Sequence, residues 1–287
     1  MDQTEEQKAL IQWWQVSSRD LPWRRTRNPW FVMVSELMLQ QTQVSRVIPK
    51  YERFIEKYPT PKKCSDAPAS SIIAEWEGLG YNRRAINLHR ASQMIVETHS
   101  GKVPNTLSAL LELPGIGPYT ARAILCFAFE EDIGVVDVNI NRVISRITGK
   151  VMRPQEMQKK ADSLVPTGDG WIWNQALMDL GSEVCGSRST DCDRCPLLTY
   201  CLWKGKGPDP AKRNSPSSNL IQNFEGSDRQ GRGKLVNALR KRRVALSDLE
   251  DVMGWDGDPK RCRRVAEGLI KDGLVEYDRK TGYRLPS

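Results

Sequence analysis

Helical periodicity through the first two thirds of this chain of 287 residues limits the folds that it can adopt. Apolar residues recur three and four positions apart, as they do where one face of a helix is buried, and strand patterns are absent before residue 244. Residues 1–203 are therefore predicted to form an all-α domain. The helical runs cover residues 5–16, 30–40, 44–57, 69–76, 82–97, 106–112, 118–129, 138–148 and 171–184.

The rest of the chain is predicted to hold a linker and a small second domain. Residues 204–222 are rich in Pro, Gly, Ser and Lys, which is the composition of a flexible linker. Residues 223–287 contain three short helical runs and then two alternating segments around Lys280-Thr281-Gly282, which predict a hairpin. Three helices closed by a hairpin follow the order of a winged helix, and a small α+β cap without a DNA-reading wing fits the same pattern.

Positive charge is concentrated towards the C-terminal end. Lys and Arg number 43 against 35 Asp and Glu, a net charge of +8, of which residues 204–287 carry +7. This imbalance predicts a polyanionic partner, nucleic acid before a membrane, although a basic segment that only aids solubility has the same composition. The start MDQTEEQKAL is unlike a signal peptide, and no apolar run reaches the about 18 residues of a membrane span. We therefore expect a cytoplasmic protein.

Four of the seven cysteines are clustered in the run C-x6-C-x2-C-x5-C. In a reducing compartment, thiolates this close would repel and oxidise unless a metal centre held them. Zinc and a [4Fe–4S] cluster both accept four cysteines, and the compact run with a single C-x2-C pair favours the cluster. The predicted ligands are Cys185, Cys192, Cys195 and Cys201.

A glycine-rich loop, Leu113-Pro114-Gly115-Ile116-Gly117, joins two of the predicted helices. Glycines allow the backbone to approach a partner closely, and the start of the next helix offers N–H groups that hold a phosphate without reading a base. A plain interhelical turn is the alternative. Farther along, Asp137 opens another predicted helix, where an aspartate serves either as an N-cap or as a functional carboxylate.

These features, together with further motifs in the same order, resemble the helix-hairpin-helix DNA glycosylases, and among them the adenine (MutY-type) branch. The resemblance covers about residues 5–203. It implies two helical lobes with a cleft between them, an iron–sulfur loop at 185–201, DNA along the hairpin side and a flipped base in the cleft. The further motifs are Leu21–Trp23, Ser35–Val44, Trp76–Tyr81, Val136–Asp137 and Asn174–Gly181.

The resemblance implies a monofunctional enzyme of base excision repair. It would be monomeric and nucleoid-associated, and it would remove adenine mispaired with 8-oxoguanine or guanine from double-stranded DNA. Cleavage of an N-glycosidic bond produces an oxocarbenium-like sugar, so one carboxyl group should protonate the base and a second, ionised one should stabilise the sugar.

By resemblance, Glu36 is the acid and Asp137 the ionised partner, and Tyr119 and Asn139 complete the catalytic set. The apolar run around Glu36 would raise its pKa, whereas a helix N-terminus favours a charged Asp137. Relatives that also cut the backbone carry a Schiff-base lysine where this chain has Tyr119, so we expect little or no AP lyase activity.

The resemblance also implies a set of DNA contacts. Gln40, Gln41 and Thr42 would wedge into the duplex opposite the flipped base. The hairpin glycines Gly115 and Gly117 would hold a phosphate, and the cluster loop would help to dock DNA. The predicted adenine pocket and loop contacts are Arg19, Trp23, Gln175, Tyr81 and Asn82, with core packing as the alternative for Trp23.

Three departures from the adenine branch keep other functions open. Asn82 stands where that branch has an intercalating tyrosine, Val138 replaces a glycine, and the residues after 203 are too few for the Nudix-like domain of many relatives. The alternatives are a thymine or uracil mismatch glycosylase and a catalytically inactive DNA-damage-binding protein. The presence of both Glu36 and Asp137 argues against the inactive protein.

Overall fold

The structure, a computed structural model, describes residues 3–212 and 224–287 and is mostly helical, which confirms the helical part of the predicted fold. All nine predicted runs before residue 203 form helices. The helices of this part are α1 (Glu5–Ser17), α2 (Pro29–Leu39), α3 (Val44–Lys57), α4 (Pro61–Ser65), α5 (Ala69–Glu75), α6 (Arg83–Thr98), α7 (Leu107–Glu112), α8 (Pro118–Phe129), α9 (Val138–Thr148), α10 (Pro154–Leu164) and α11 (Gly170–Glu183).

Two helices, α4 and α10, have no counterpart in the predicted runs. Each begins with a proline, which suits the first turn because its missing N–H is not needed there. Helix α4 has only five residues. In α10 only Met157 and Ala161 are buried. Too few apolar positions repeat in either helix for the spacing to predict it.

The chain divides into two compact units. The first unit comprises Met1–Val32, Asn105–Ser108 and Gly117–Asn219, and the second comprises Met33–Pro104, Ala109–Ile116 and Leu220–Ser287. Residues 224–287, which we call the C-terminal segment, thus belong to the same unit as α3 to α6. Of the predicted linker, residues 213–222 lie outside the described part of the chain.

The core of the first unit is formed by α1, α9, α10 and α11. Its fully buried members include Leu10, Ile140, Ile144 and Trp173. Helices α9 and α11 approach closely at Gly181, where a Cβ atom would lie 2.7 Å from the Cβ of Asn139. A larger residue at that position would push the start of α9 away, so this contact fixes where the first turn of α9 lies.

The second unit contains a helical part and the C-terminal segment. The helical part buries Tyr51 and Phe54, and the ring of Phe54 meets that of Trp76 edge-on at 6.2 Å. The C-terminal segment forms α12 (Asp228–Leu239), α13 (Leu249–Met253), α14 (Pro259–Lys271) and an antiparallel hairpin of β1 (Glu276–Asp278) and β2 (Gly282–Arg284). These helices and the hairpin lie where the sequence predicts them.

Two contacts attach the C-terminal segment to the helical part of its unit. The Arg240 guanidinium donates to the carbonyl oxygen of Ile73 at 3.0 Å. Near the end of the chain, the Ser70 N–H donates to the carbonyl of Pro286 at 3.0 Å. None of the described helices combines the length and apolar character needed to cross a membrane.

Candidate functional site

The loop before α9 is held in place by one buried amide side chain. Asn174 of α11 accepts a hydrogen bond from the Val135 N–H at 2.8 Å. Its amide nitrogen donates to the carbonyl oxygens of Ile133 at 2.9 Å and Gly170 at 2.7 Å. Because these bonds fix the backbone just before Asp137, they determine where the Asp137 carboxylate lies.

Asp137 is the N-cap of α9. Its Oδ1 accepts hydrogen bonds from the N–H groups of Asn139 at 2.9 Å and Ile140 at 2.7 Å. Its Oδ2 accepts from the amide of Asn139 at 2.9 Å, and Arg142 in turn donates to Asn139 Oδ1 at 2.7 Å. The N-cap interpretation is confirmed, and Asn139 holds the carboxylate oxygen that the cap does not use.

Burial sets the direction of the Asp137 pKa. Desolvation raises the pKa of this carboxyl above its usual value, against the opposing effect of the bonds from Ile140 and Asn139 and the charge of Arg142. The helix N-terminus alone predicted the opposite direction. The difference arises because the burial of Asp137 cannot be read from the residues around position 137.

Glu36 lies in the second half of α2 and is buried. It is 6 % exposed, while Ser35, Leu37 and Met38 are 1 % exposed or less. Bulk water therefore has little access to the Glu36 carboxyl group.

The glycine-rich loop between α7 and α8 has one glycine that the fold requires and one at a position where the fold leaves room for a side chain. Gly115 has a φ of +83°, and a Cβ atom there would lie 2.8 Å from the Cβ of Asn87. Gly117 is the N-cap of α8 and makes no side-chain capping bond. No described atom within 4 Å would meet a Cβ atom on Gly117. Tyr119 follows, half-buried, in the first turn of α8.

Arg84 joins the two loops that carry half of the predicted DNA-contact residues. It is 6 % exposed, and burial lowers its pKa to about 10, so it stays charged at neutral pH. Its Nη1 donates to three carbonyl oxygens at the end of α2, and its Nη2 bonds the loop before α6. The acceptors are the carbonyls of Leu37, Met38, Gln40, Leu79 and Gly80 and the hydroxyl of Thr42.

The tips of these two loops adopt backbone conformations that side chains rarely take. Gln41 has a φ of 55° and Tyr81 a φ of 46°, both in the left-handed region. Asn82, next to Tyr81, accepts a hydrogen bond at Oδ1 from Arg240 at 3.0 Å. Strain of this kind costs about 1 to 3 kcal/mol per residue and clusters at functional sites.

Arg19, predicted in the adenine pocket, pairs with a carboxylate that the sequence analysis did not single out. Asp179 of α11 is fully buried and accepts from Arg19 Nε at 2.6 Å and from Arg24 Nη1 at 2.7 Å. Burial would raise the pKa of Asp179, but the two arginines hold it below its usual range. Trp23 and Gln175 are both buried.

Arg146 organises the cysteine loop from α9. It forms a buried ion pair with Asp209 at 2.7 Å and donates to the carbonyl of Gly186 at 2.8 Å. Its guanidinium also lies 4.6 Å from the centre of the Trp203 ring. Burial favours the neutral form of Asp209, but the bond from Arg146 holds the pKa of Asp209 below its usual range.

N–H donors reach two of the four cysteine sulfurs. Cys185 Sγ accepts from Arg146 at 3.2 Å, and Cys201 Sγ accepts from the Lys204 N–H at 3.3 Å. Burial raises the pKa of Cys195 to about 11, and the other three cysteines add to the increase. Cys195 therefore lies within the electrostatic reach of the other three cysteines, and it stays protonated unless a cation offsets this repulsion.

The chemistry of this donor set fits an iron–sulfur centre. In residues 3–212 and 224–287, no three His, Cys, Asp or Glu side chains form a group that could hold a metal ion as they stand. Four cysteines within one short loop, with N–H groups directed at the sulfurs, are nevertheless the ligands and surroundings that such clusters use. The residues that could hold a cluster are Cys185, Cys192, Cys195 and Cys201.

Residues 34–167 match the family model of the HhH-GPD superfamily of base excision DNA repair proteins. The adenine DNA glycosylase of Mycolicibacterium smegmatis is 39 % identical over 272 residues, which is 93 % of this chain and 91 % of that one. The chain belongs to the helix-hairpin-helix DNA glycosylases, in the adenine (MutY-type) branch.

Two proteins with another specificity match a smaller share of this chain. The thymine/uracil-DNA glycosylase of Methanothermobacter thermautotrophicus is 32 % identical over 69 % of this chain and 92 % of its own. The solved structure of a thermostable thymine-DNA glycosylase superposes with a TM-score of 0.67, at 30 % identity, over 71 % of this chain and 98 % of that one. The glycosylase fold is thus common to both groups.

Several residues that build this glycosylase site were missed in the sequence. Each is a polar or charged side chain that the fold buries, and its burial leaves no local signal in the sequence. The partners of each lie far along the chain, so the sequence alone does not indicate what it holds. These residues are Arg24, Arg84, Arg146, Asn174 and Asp179.

Proposed function

We propose that this protein hydrolyses the N-glycosidic bond of adenine in double-stranded DNA where adenine is mispaired with 8-oxoguanine or guanine. The observation that carries the proposal is the extent of the likeness to the M. smegmatis adenine glycosylase. That match covers 93 % of the chain, so it must include most of residues 204–287. The match to the thymine/uracil relative leaves 31 % of the chain uncovered, since it covers 69 %.

Glu36 is the proposed general acid. A purine leaves as a poor anion, so protonation of the base lowers the barrier, and positioned acids contribute about 10²- to 10⁴-fold to a rate. Burial of Glu36, which is 6 % exposed, supports this role, because an acid shielded from bulk water can be positioned to donate its proton to the leaving base.

Asp137 is the proposed stabiliser of the cationic sugar. Its Oδ1 is engaged in capping α9, and Asn139 orients its Oδ2. The carboxylate therefore has a fixed orientation before substrate binds, which is what electrostatic stabilisation of a developing charge requires. Asn139 is a positioning residue in this proposal, since it acts through Asp137.

Tyr119 supports a monofunctional reaction. A lyase needs an amine that forms a Schiff base with the sugar, and the phenol at the start of α8 cannot form one. We propose that the enzyme releases the base and leaves the backbone intact.

The proposed contacts with DNA lie at the start of α8, at the loop after α2 and in the adenine pocket. The first turn of α8 offers N–H groups that Gly117 leaves without a side-chain cap, and these suit a phosphate. The strained tip at Gln41, between Gln40 and Thr42, is the proposed wedge opposite the flipped base. Arg19, Trp23 and Gln175 are the proposed lining of the adenine pocket.

The four clustered cysteines are the proposed ligands of a [4Fe–4S] cluster. When bound, the cluster supplies four metal–thiolate bonds that tie residues 185–201 together. Thiolates this close would repel one another without a cation, and Arg146 and Lys204 already donate to two of the sulfurs. We assign the loop a structural and DNA-docking role, supported by the cationic Arg188, Arg194, Lys204 and Lys206 within or beside it.

Replacing one proposed ligand should remove cluster, fold and DNA binding together. Cys192→Ser is expected to lose the broad visible absorbance of an iron–sulfur protein and bound iron, to unfold at a lower temperature, and to lose DNA affinity. Cys262→Ala, a buried cysteine outside the loop, is the control and should keep its iron. Zinc in the purified protein, or an unchanged absorbance for Cys192→Ser, would contradict the assignment.

The C-terminal segment is proposed to be a winged-helix-like module, with the domain limits predicted from the sequence. Besides the hairpin, Val244 forms an antiparallel bridge with Tyr283, so a third strand position precedes α13. A winged helix has the same order of elements: one helix, a strand, two helices and a hairpin.

A panel of duplexes tests the proposed function. Adenine opposite 8-oxoguanine, adenine opposite guanine, and thymine opposite guanine are each incubated with the protein and then treated with alkali, which breaks the strand at abasic sites. We expect breaks at adenine only, and no breaks or borohydride-trapped adduct without alkali. Asn82 favours the thymine or uracil mismatch alternative, and breaks only at thymine would establish it. No breaks in any duplex would indicate the inactive binding protein.

A further inference from the structure

Helices α13 and α14 pack together and follow one another in the order of a helix-turn-helix. Gly254 ends α13 in the left-handed region with a φ of +70°, and Trp255 in the turn is buried. Asp258 then caps α14, because its Oδ1 accepts a hydrogen bond from the Arg261 N–H at 3.1 Å. In DNA-binding helix-turn-helix domains, the second helix meets the duplex with residues near its N-terminus. The first turns of α14 occupy the corresponding position here.

The outer face of α14 carries mostly positive charge. The opposite face is buried within the C-terminal segment. Glu267 is the acidic residue on the outer face, and Arg264 is paired with Asp228 at 2.7 Å. Within the described part of the chain, neither Lys260 nor Arg263 forms an ion pair. The exposed cations of this face are Lys260, Arg263, Arg264 and Lys271.

The turn of the hairpin adds two exposed cations. Arg279 and Lys280 lie between β1 and β2, and neither forms an ion pair with a described carboxylate. The nearby Asp278 is occupied by the turn itself, since its Oδ1 accepts from the N–H groups of Lys280 and Thr281, each at 2.9 Å. The side chains of both cations therefore remain available to an external anion.

The hairpin and the outer face of α14 are close to each other. Burial raises the pKa of the Tyr283 hydroxyl on β2, and the positive charge of Arg263 opposes this increase, so Arg263 lies within electrostatic reach of the hairpin. Lys280 is three residues from Tyr283, about 10 Å of extended chain. We call the cations of these two elements the basic face. Its members are Lys260, Arg263, Arg264, Lys271, Arg279 and Lys280.

Most ion pairs of the C-terminal segment leave the basic face unneutralised. They join carboxylates to arginines that lie outside this face, with Arg264 as the exception among the described residues. The pairs are Asp228 with Arg261 and Arg264, Asp248 with Arg242, Asp272 with Arg232, and Glu276 with Arg284. The segment therefore presents positive charge that its own carboxylates do not offset, which suits a polyanion.

We propose that the basic face is a second DNA-binding surface, which holds the phosphates of duplex DNA whether or not a mispair is present. A duplex carries one phosphate charge per about 1.7 Å of its axis, so cations on two neighbouring elements can each meet a phosphate. Such contacts position a protein without reading a base. The surface retains the enzyme on undamaged duplex, and this role does not depend on which base the enzyme removes.

Equilibrium binding to a fully paired duplex over a range of salt concentrations tests the proposal. The triple variant Lys260→Ala, Arg263→Ala, Lys280→Ala is expected to weaken binding at low salt by at least about 10-fold. It should also reduce the slope of log K against log salt by about 2 to 3, since each lost phosphate contact removes about 0.9. These residues are exposed and unpaired, so thermal unfolding should be unchanged. Single-turnover adenine release at saturating enzyme should also be unchanged.

Two further triple variants provide the matched controls. Lys63→Ala, Lys102→Ala, Lys159→Ala removes the same charge from exposed lysines elsewhere in the chain. It should change affinity less than about two-fold, because salt screens exposed charges more than about 10 Å from the DNA. Lys260→Arg, Arg263→Lys, Lys280→Arg keeps every charge of the basic face that the first variant removes, and it should bind the paired duplex as the unaltered protein does.

Three results would overturn the proposal. They are an unchanged salt slope for the alanine variant of the basic face, an equal loss for the lysine control, and an equal loss for the variant that keeps the charges. Vesicles of anionic lipid that bind the unaltered protein but not the alanine variant, with DNA affinity unchanged, would assign the face to a membrane instead. The paired duplex holds no target, so failure of adenine release by the unaltered protein would contradict the proposed function and leave this binding result separate.

Discussion

Glu36→Gln is expected to lower the rate of adenine release in a single turnover by about 10²- to 10⁴-fold, the range that a positioned general acid contributes. Glutamine has nearly the same shape as glutamate but cannot donate the proton that the leaving purine needs. Because Glu36 is 6 % exposed, bulk water has little access to this position and cannot readily supply the missing proton. Affinity for a duplex with adenine opposite 8-oxoguanine should stay within a few-fold of that of the unaltered protein.

Glu75→Gln is the matched control for this variant. Glu75 is also buried, at 5 % exposure, and it forms ion pairs with Arg53 at 2.8 Å and Lys57 at 2.9 Å. Its loss should lower the thermal stability and leave adenine release unchanged. A rate within ten-fold of normal for Glu36→Gln, or an equal loss for Glu75→Gln, would contradict the assignment of the acid.

The helices could be predicted because the local spacing of apolar residues determines where they form. Helix α9 begins and ends at the predicted residues 138 and 148, since its apolar positions repeat regularly and Gly149 ends it in the left-handed region. Helix α10 lacks that repetition and was missed. The hairpin was predicted because a turn with Gly282 separates two alternating segments.

The candidate site could be predicted only in part, for a physical reason. Asp137 and Glu36 each lie within a short sequence motif. Their residue types and sequence neighbours therefore indicate their proposed chemistry. The position of each loop depends instead on bonds across long stretches of chain, such as that from Arg84 to the carbonyl of Leu37. The direction of the Asp137 pKa depends on burial in the folded protein, which no local pattern records.

Asp137→Asn is expected to separate the charge of Asp137 from its role as an N-cap. Asparagine caps a helix about as well as aspartate, so the free energy of unfolding should change by less than about 1 kcal/mol. The rate of adenine release should nevertheless fall by about 10²- to 10³-fold, as it does when one preorganised electrostatic group is removed from an active site. Thermal unfolding and single-turnover assays measure the two effects on the same sample.

The acid limb of the pH–rate profile gives this assignment a second test. Burial raises the pKa of Asp137, so the charged form and the rate should be lost at a higher pH than an ordinary aspartate, with a pKa of about 4, would give. Asn139→Ala removes a donor that favours the carboxylate, which raises the pKa further and moves the limb to higher pH. Asn141→Ala, on the same helix and bonded to Ser145, should leave the limb in place. An acid limb that Asn139→Ala does not move would mean that another group controls it.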